Sequence, residues 1–280
     1  MPAERQYDYQ QSSRFFAQAA DGLEELVAAE LERIGASDTK PGYRGVYFSA
    51  SLEVLYRVNY TSRLATRVLA PLRSFDCHSS KYLYKMARSI DWSDFFHGND
   101  TFAVFANVAN SAIRHSQYAA LRVKDAIADQ FRERRGSRPD VSPHDPDVSF
   151  NLYIHNNHAV ISLDTSGGSL HRRGYRRKTV EAPMQETVAA AVIEMSGWDG
   201  SRPLYDPMCG SGTLVCEALM SYCNVPSGYG RHGAGGGPGT GHFGFERLPD
   251  FRPPVWKSMR REIDNGIRDL PEGLIGGSDG

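Results

Sequence analysis

Asp206-Pro207-Met208-Cys209-Gly210-Ser211-Gly212-Thr213 joins a short apolar stretch, Pro203-Leu204-Tyr205, to an apolar helical pattern running from about Leu214 to Cys223. A strand that turns on Gly-x-Gly into a helix lets backbone approach a ligand closely, because a Cβ at either glycine would block it. The turn also aims the unbonded N–H groups of the first helical turn at an anion. Asp206, at the strand's end, adds an acceptor for an amino group or a ribose hydroxyl. A carboxylate for the N–H groups and an ammonium for the aspartate suit a zwitterionic nucleoside such as S-adenosylmethionine.

Two other glycine loops are excluded by spacing. A phosphate-binding P-loop needs a lysine after its last glycine, and none follows Gly212. A dinucleotide fingerprint needs a third glycine where Val215 stands. Taken as a bare Gly-x-Gly, the stretch also reads as an ordinary strand-to-helix turn with no ligand.

At 280 residues the chain is long enough for two or three small domains. No apolar run approaches membrane-spanning length. Residues Met1 to Ser13 are polar and carry no apolar signal core, so the expected location is the cytoplasm, with no membrane partner. Cys209, Cys216 and Cys223 recur every seven residues, but no histidine pair completes a zinc set. Cys216 and Cys223 are expected to share a helix face as small core residues, and no metal is expected.

A net charge of −1 argues against indiscriminate nucleic-acid binding, yet two regions are basic. One is His171-Arg172-Arg173-Gly174-Tyr175-Arg176-Arg177-Lys178; the other holds Arg114, Arg122, Lys124, Arg132, Arg134, Arg135 and Arg138. On charge alone each reads either as a solvated face or as an RNA surface.

The periodicity predicts strands at Phe15–Ala17 and Gly45–Phe48, around a helix with Leu23, Leu26, Val27 and Ile34 on one face. Asp21 and Glu24 read as its capping box and Gly35 as its stop. Ser51 opens a second helix, and Leu64 to Leu72 reads as a strand. That order implies a small ferredoxin-like α/β sandwich. A second α/β unit follows, with helices at Lys81–Ile90 and Ser116–Arg135 and strands at Thr101–Ala109, Val148–His155 and Ala159–Leu163. The last two strands are joined by an Asn156-Asn157 turn. Beyond a linker-like Ser166-Gly167-Gly168-Ser169, a helix from Gln185 to Met195 is expected to turn Val188, Ala191, Val192 and Met195 inward. Ser227 to Gly244 is half glycine and is expected to be a mobile insertion without a packed core. A helix near Val255–Asp269 and a strand at Leu274–Gly276 close the pattern.

Four motifs in this order carry a family resemblance. They are Gly22-Leu23-Glu24-Glu25-Leu26, Leu170-His171-Arg172-Arg173-Gly174-Tyr175-Arg176, Ala182-Pro183-Met184-Gln185-Glu186-Thr187 and the Asp206–Thr213 octapeptide. The chain resembles the N-terminal part of the bacterial THUMP-domain methyltransferases of large-subunit ribosomal RNA, the fused K/L type. The octapeptide by itself resembles motif I of S-adenosylmethionine-dependent methyltransferases that modify exocyclic amines of nucleobases.

The resemblance implies an α/β fold with a ferredoxin-like domain (12–53), a THUMP RNA-binding domain (54–165), a basic linker (166–184) and the start of a Rossmann-like class I methyltransferase domain (185–280). It implies methyl transfer from S-adenosylmethionine to the exocyclic amine of a guanine in 23S ribosomal RNA. Carried over residue by residue, Asp206, Met208, Cys209, Gly210, Ser211 and Gly212 would line the methionine end of the cofactor. Pro183, Gln185 and Glu186 would border it, and Asp279 would take the ribose hydroxyls. Arg172, Arg173, Tyr175, Arg176, Arg177 and Lys178 would meet RNA, with Arg122, Lys124, Arg132 and Arg135 as a second surface.

Two departures qualify the match. The glycine-rich segment before Phe243-Gly244-Phe245-Glu246 looks longer than the family normally carries. The family's Asn-Pro-Pro-Tyr motif, which would hold the target amine, does not occur, and Arg252-Pro253-Pro254-Val255 is no substitute. The catalytic residues are therefore unassigned. The chain is expected to be a fragment of a longer enzyme, inactive alone, with a non-catalytic RNA-binding module as the alternative.

Overall fold

The computed structural model describes residues 6–144, 146–176, 183–232 and 242–279. Its first elements are α1 (Asp8–Ser12), β1 (Arg14–Gln18), α2 (Glu24–Ile34), β2 (Ser37–Gly42), β3 (Gly45–Ser49) and α3 (Leu52–Thr61). Next come β4 (Arg67–Asp76), α4 (Ser80–Arg88), β5 (Phe102–Ala109), α5 (Ser116–Arg135), β6 (Val148–His155) and β7 (His158–Asp164). The last are α6 (Glu186–Ser196), β8 (Leu204–Asp206), α7 (Thr213–Tyr222), α8 (Pro253–Asp264) and β9 (Ile275–Gly277). These elements form two units that interleave along the chain. One comprises Met1–Phe16, Val68–Gly168 and His242–Phe251; the other comprises Ala17–Arg67, Ser169–Gly241 and Arg252–Gly280.

The first unit is built on strands in the order β4-β7-β6-β5. β6 and β7 form the expected hairpin, with Asn156 and Asn157 at φ 51° and 59°, the left-handed conformation a two-residue turn requires. β5 and β6 are parallel, with Val104 opposite Phe150, so the chain must cross over between them, and α5 is that crossover. β4 pairs antiparallel with β7, and its register slips between Pro71 and Arg73. Pro71 has no N–H for the ladder, and a bulge is where a strand tolerates that.

The predicted apolar stripe of α5 is buried: Ala120, Val123, Ile127 and Phe131 all lie in the core. Phe131 packs on Phe96 with ring centroids 4.9 Å apart, and Trp92 meets Phe150 edge-on at 4.8 Å. Gln130 is buried beside them. Its Oε1 accepts from Trp92 N at 3.0 Å, and its Nε2 donates to Ile90 O at 2.8 Å and Arg88 O at 3.2 Å. One amide thus satisfies the backbone between α4 and the Trp92 turn. Gln130→Leu should cost roughly 2–4 kcal/mol in urea unfolding, because it strands buried groups at about 1–3 kcal/mol each. A loss below about 0.5 kcal/mol would mean that water replaces the amide.

In the second unit α2 ends at Gly35 as expected, with φ 110°. The predicted capping box does not form. The helix starts at Glu24 with Leu23 in the cap position and no side-chain bond to it. Ser51 does cap α3, accepting from Val54 N at 3.3 Å. β2 and β3 pair antiparallel, β8 and β9 pair parallel, and α8 meets α3 through Tyr60 and Trp256, edge to face at 5.3 Å. Helix α6 packs on α7, and its Ala189, Ala190, Ala191 and Ile193 are buried. Val192 and Met195 face outward instead, at 44% and 71% exposure, correcting the expected inward stripe.

The glycine-rich segment is also corrected at both described ends, while 233–241 lies outside the described residues. Ser227 and Arg231 are buried in the second unit, where Ser227 Oγ donates to Tyr60 O at 3.1 Å. Phe243 and Phe245 are buried in the first. Gly244 lies so close to strand β7 that an added Cβ would sit 1.9 Å from Asp164 O. Glycine there serves a close backbone contact rather than looseness.

Candidate cofactor-binding site

The register Leu204–Ile275, Tyr205–Gly276 and Asp206–Gly277 brings the ends of β8 and β9 side by side. The loop after β8 is then tied to the loop after β9. Ser278 N donates to Asp206 O at 3.0 Å, and Cys209 N donates to Ser278 O at 2.9 Å. A Cβ on Gly277 would meet Cys209 Cβ at 3.0 Å and Val215 Cγ2 at 3.2 Å, so that glycine keeps the two strand ends together. Sequence reading missed Gly277 and Ser278; the Gly276-Gly277 pair before Asp279 was the available signal.

Asp206 Oδ1 accepts from Met208 N at 3.0 Å, which folds the first turn of the loop. Gly210 and Gly212 have φ 51° and 74°, and an added Cβ on either would meet nothing within 4 Å. Their need for glycine is conformational, and the space beside them is open. Gly210 N donates to Asp279 Oδ1 at 3.3 Å, so the two aspartates bracket the loop. Met208 is 84% exposed, Ser211 is exposed, and Cys209 is half-buried. Helix α7 begins at Thr213 with Gly212 as a cap that supplies no side-chain bond.

Glu186 is the first residue of α6 and is buried, whereas Pro183 and Gln185 are exposed beside it. Its carboxylate is held by Arg176, whose Nε and Nη2 lie 3.1 Å and 3.0 Å from Oε1. The same guanidinium donates to Met184 O at 3.0 Å, Thr213 Oγ1 at 3.1 Å and Ser211 Oγ at 3.3 Å. Arg176 is therefore part of the loop's surroundings, although the sequence assigned it to RNA.

Two further members of the basic run are turned inward. The Arg173 side chain is fully buried, with Nε 3.4 Å from Glu217 Oε1, Nη1 donating to Leu170 O at 2.6 Å and Nη2 donating to Arg63 O. Tyr175 Oη donates to the same Glu217 oxygen at 2.9 Å, and burial together with that carboxylate pushes its phenol well above the ordinary range. Arg63 Nη2 donates to Met220 O, in the last turn of α7, and to Val225 O just beyond it, each at 2.7 Å. Its backbone N–H donates to Glu30 Oε1 at 2.7 Å, and burial lowers its guanidinium pKa.

A buried cation is retained only where a partner anion and hydrogen bonds compensate for lost hydration, and Glu217 and the carbonyls supply both. Arg173 is thus not placed to meet phosphate, and Tyr175 has its hydroxyl committed within the fold. Arg172 is exposed, and Arg177 and Lys178 lie outside the described residues. The reason is visible only in three dimensions: Glu217 stands one turn into the helix that the glycine loop opens.

In the first unit the cations of α5 differ in exposure. Arg132 and Arg135 are exposed, and Arg122 and Lys124 are half-buried. Arg122 Nη1 lies 3.0 Å from Asp125 and its guanidinium stacks 4.8 Å from the Tyr84 ring. Arg132 pairs with Asp129 at 3.0 Å. Such surface pairs are worth about 0–1 kcal/mol and exchange readily for another anion.

Among the described residues no group of three or more His, Cys, Asp or Glu could hold a metal, and no helix is long and apolar enough to cross a membrane. All four cysteines are free.

Comparison with known families accounts for this arrangement. Residues 14–69 match the RlmL ferredoxin-like domain, residues 77–164 the THUMP domain, and residues 173–280 the RMKL-like methyltransferase domain. A Synechocystis sp. protein provisionally named RNA methyltransferase slr0064 is 40% identical over 266 residues, which cover 95% of this chain and 67% of that protein. The ribosomal RNA large subunit methyltransferase K/L of Vibrio campbellii is 40% identical over 252 residues, 90% of this chain and 34% of its own length. The chain thus spans about two thirds of the first relative and about one third of the second. Among solved structures, SMU.472, provisionally a methyltransferase and complexed with SAH, matches with a TM-score of 0.77 and 27% identity. That match covers 95% of this chain and 68% of SMU.472. With the bracketed glycine loop and this neighbour's bound SAH, the cofactor is S-adenosylmethionine, and the chain belongs to the THUMP-domain RNA methyltransferases that include the ribosomal K/L enzymes.

Proposed function

We propose that the protein methylates the exocyclic amine of a guanine in 23S ribosomal RNA, in the cytoplasm; the K/L relatives' name supports large-subunit ribosomal RNA as the substrate, and the guanine amine rests on the family resemblance. The observation that carries this reading is one chain holding both a glycine loop bracketed by Asp206 and Asp279 and a segment that matches the THUMP domain.

The residues present fit the cofactor. Gly210 and Gly212 leave an open face, α7 begins there with unbonded N–H groups, and Asp206 and Asp279 supply anions on either side. In this reading the N–H groups of Ser211 and of the first turn of α7 receive the carboxylate, Asp206 receives the ammonium, and Asp279 receives the ribose diol, while Gly212 N stays bonded to Cys209 O at 2.7 Å. Met208, Cys209, Pro183, Gln185 and Glu186 line the approaches. Bound S-adenosylmethionine supplies an electrophilic methyl group on a sulfonium. The chain's part is positioning, since an amine that is a weak nucleophile gains most from in-line alignment. The guanine must be unpaired or flipped for its amine to reach that methyl group.

In this reading Arg132, Arg135 and Arg172, which are exposed, and Arg122 and Lys124, which are half-buried, meet phosphate. Replacing the four on α5 by alanine should weaken binding to ribosomal RNA fragments. It should also flatten the salt dependence, by about 0.7–0.9 in the log–log slope for each phosphate no longer neutralised. An unchanged slope would place the RNA surface away from α5.

Transfer of tritium from labelled cofactor to undermodified 23S RNA, followed by nucleoside analysis, tests the reaction itself. Label in an N2-methylguanine supports the proposal, and label in another base overturns it. RNA binding with no incorporation by this chain would instead select a second reading, an RNA-binding module without chemistry.

A further inference from the structure

Arg176 stands where three segments of the second unit meet: the basic run, the start of α6 and the glycine loop that opens α7. Its guanidinium directs its donors to Glu186, Met184 O, Thr213 Oγ1 and Ser211 Oγ, all at 3.0–3.3 Å. We propose that Arg176 is a positioning residue for the cofactor loop, fixing Ser211 and Thr213 so that the loop receives the amino-acid end of S-adenosylmethionine. This inference rests on the cofactor reading and is independent of which RNA is methylated.

The loop needs such a clamp. Gly210 and Gly212 both adopt left-handed φ, a Cβ on either would touch nothing within 4 Å, and Gly212 gives α7 no side-chain cap. Two glycines without neighbours cost more conformational entropy to order than any other pair of residues. The loop's own bonds involve Asp206, Met208, Cys209, Gly210 and Gly212, and leave the hydroxyls of Ser211 and Thr213 bonded to each other at 3.2 Å. Arg176 is what joins that hydroxyl pair to α6.

The electrostatics argue against a purely structural tie. A cation beside the first turn of α7 faces the positive end of that helix's dipole, where an acidic or neutral cap would serve stability better. Glu186, at the start of α6, compensates locally. The net result is an ion pair whose cationic partner, rather than the carboxylate, is the one that reaches the loop's hydroxyls, beside the N–H groups that await a carboxylate. Arginine suits the position because its planar fork reaches several acceptors at fixed angles, which a lysine ammonium does not.

The test compares two ligands that share the nucleoside and differ in the amino-acid end. Calorimetry with S-adenosylhomocysteine and with methylthioadenosine is run on the 280-residue chain and on Arg176→Ala and Arg176→Lys variants, beside amide hydrogen exchange without ligand. Arg176→Ala is expected to lose about tenfold or more in affinity for S-adenosylhomocysteine, the size of one charge-assisted hydrogen bond. Methylthioadenosine affinity should stay within about twofold, and Arg176→Lys should recover only part of the loss. Amides 209–213 should exchange about tenfold faster in the alanine variant while the rest of the second unit is unchanged.

Equal losses for both ligands would reduce Arg176 to a general stabiliser and overturn the proposal. So would unchanged S-adenosylhomocysteine affinity with wild-type binding intact, or unchanged exchange of 209–213. Absence of binding by the wild-type chain would instead count against the cofactor site itself, and the exchange measurement still decides whether Arg176 orders the loop.

Discussion

Arg173→Ala is expected to lose about 3–5 kcal/mol of stability in urea unfolding, because it leaves Glu217 charged and buried without its cation. The loss extends past the pair. Leu170 O and Arg63 O each forfeit a donor, and Glu217 Oε2 already has no hydrogen-bond partner. Replacing both charges, as Arg173→Met with Glu217→Leu, should recover more than half of the loss, since no unpaired ion then remains. Were Arg173 a phosphate ligand on a solvated face, alanine would cost less than about 0.5 kcal/mol and would lower RNA affinity instead. A small stability change with a reduced salt slope in RNA binding would therefore reverse the structural assignment.

Asp206→Ala should weaken S-adenosylhomocysteine binding about tenfold to a hundredfold, the range of a lost charge-assisted hydrogen bond. The aspartate does two things at once. Oδ1 folds the turn by accepting from Met208 N at 3.0 Å, and the carboxylate carries the charge that an ammonium would meet. Asp206→Asn separates them, since an amide oxygen keeps the turn and loses the charge. Equal losses in the alanine and asparagine variants assign the effect to charge; wild-type affinity in the asparagine variant would leave Asp206 as a turn residue only. Calorimetry with S-adenosylhomocysteine, beside a melting curve of each variant, reads both outcomes.

Much of the local structure was legible in the residues alone. Ser116–Arg135 is helical as predicted because its stripe of Ala120, Val123, Ile127 and Phe131 repeats with the helix period and Gly136 ends it at φ 73°. Asn156-Asn157 forms its hairpin, Gly35 and Gly197 stop their helices, and Gly210 and Gly212 take the positive φ their loop requires. Each of these rests on a residue's own conformational freedom or on spacing within one element. β2 was missed for the opposite reason. Ser37–Gly42 is polar and contains Pro41, so it is a strand only through its pairing with β3.

The basic run shows where sequence stops being sufficient. An arginine that meets phosphate and one that is buried against a carboxylate look identical in a string of residues. Arg173 finds Glu217 44 residues away, and Arg176 finds Ser211 35 residues away. The Asp206–Thr213 octapeptide and the order of the motifs were enough for the sequence by itself to determine the family and the cofactor, and to single out the glycine loop as the candidate site. Only the tertiary structure decided which cations face solvent and which are bound within the fold. That division follows from burial: a charge is kept inside only opposite a partner, and the partner's position belongs to the packing of α6 and α7 rather than to either segment alone.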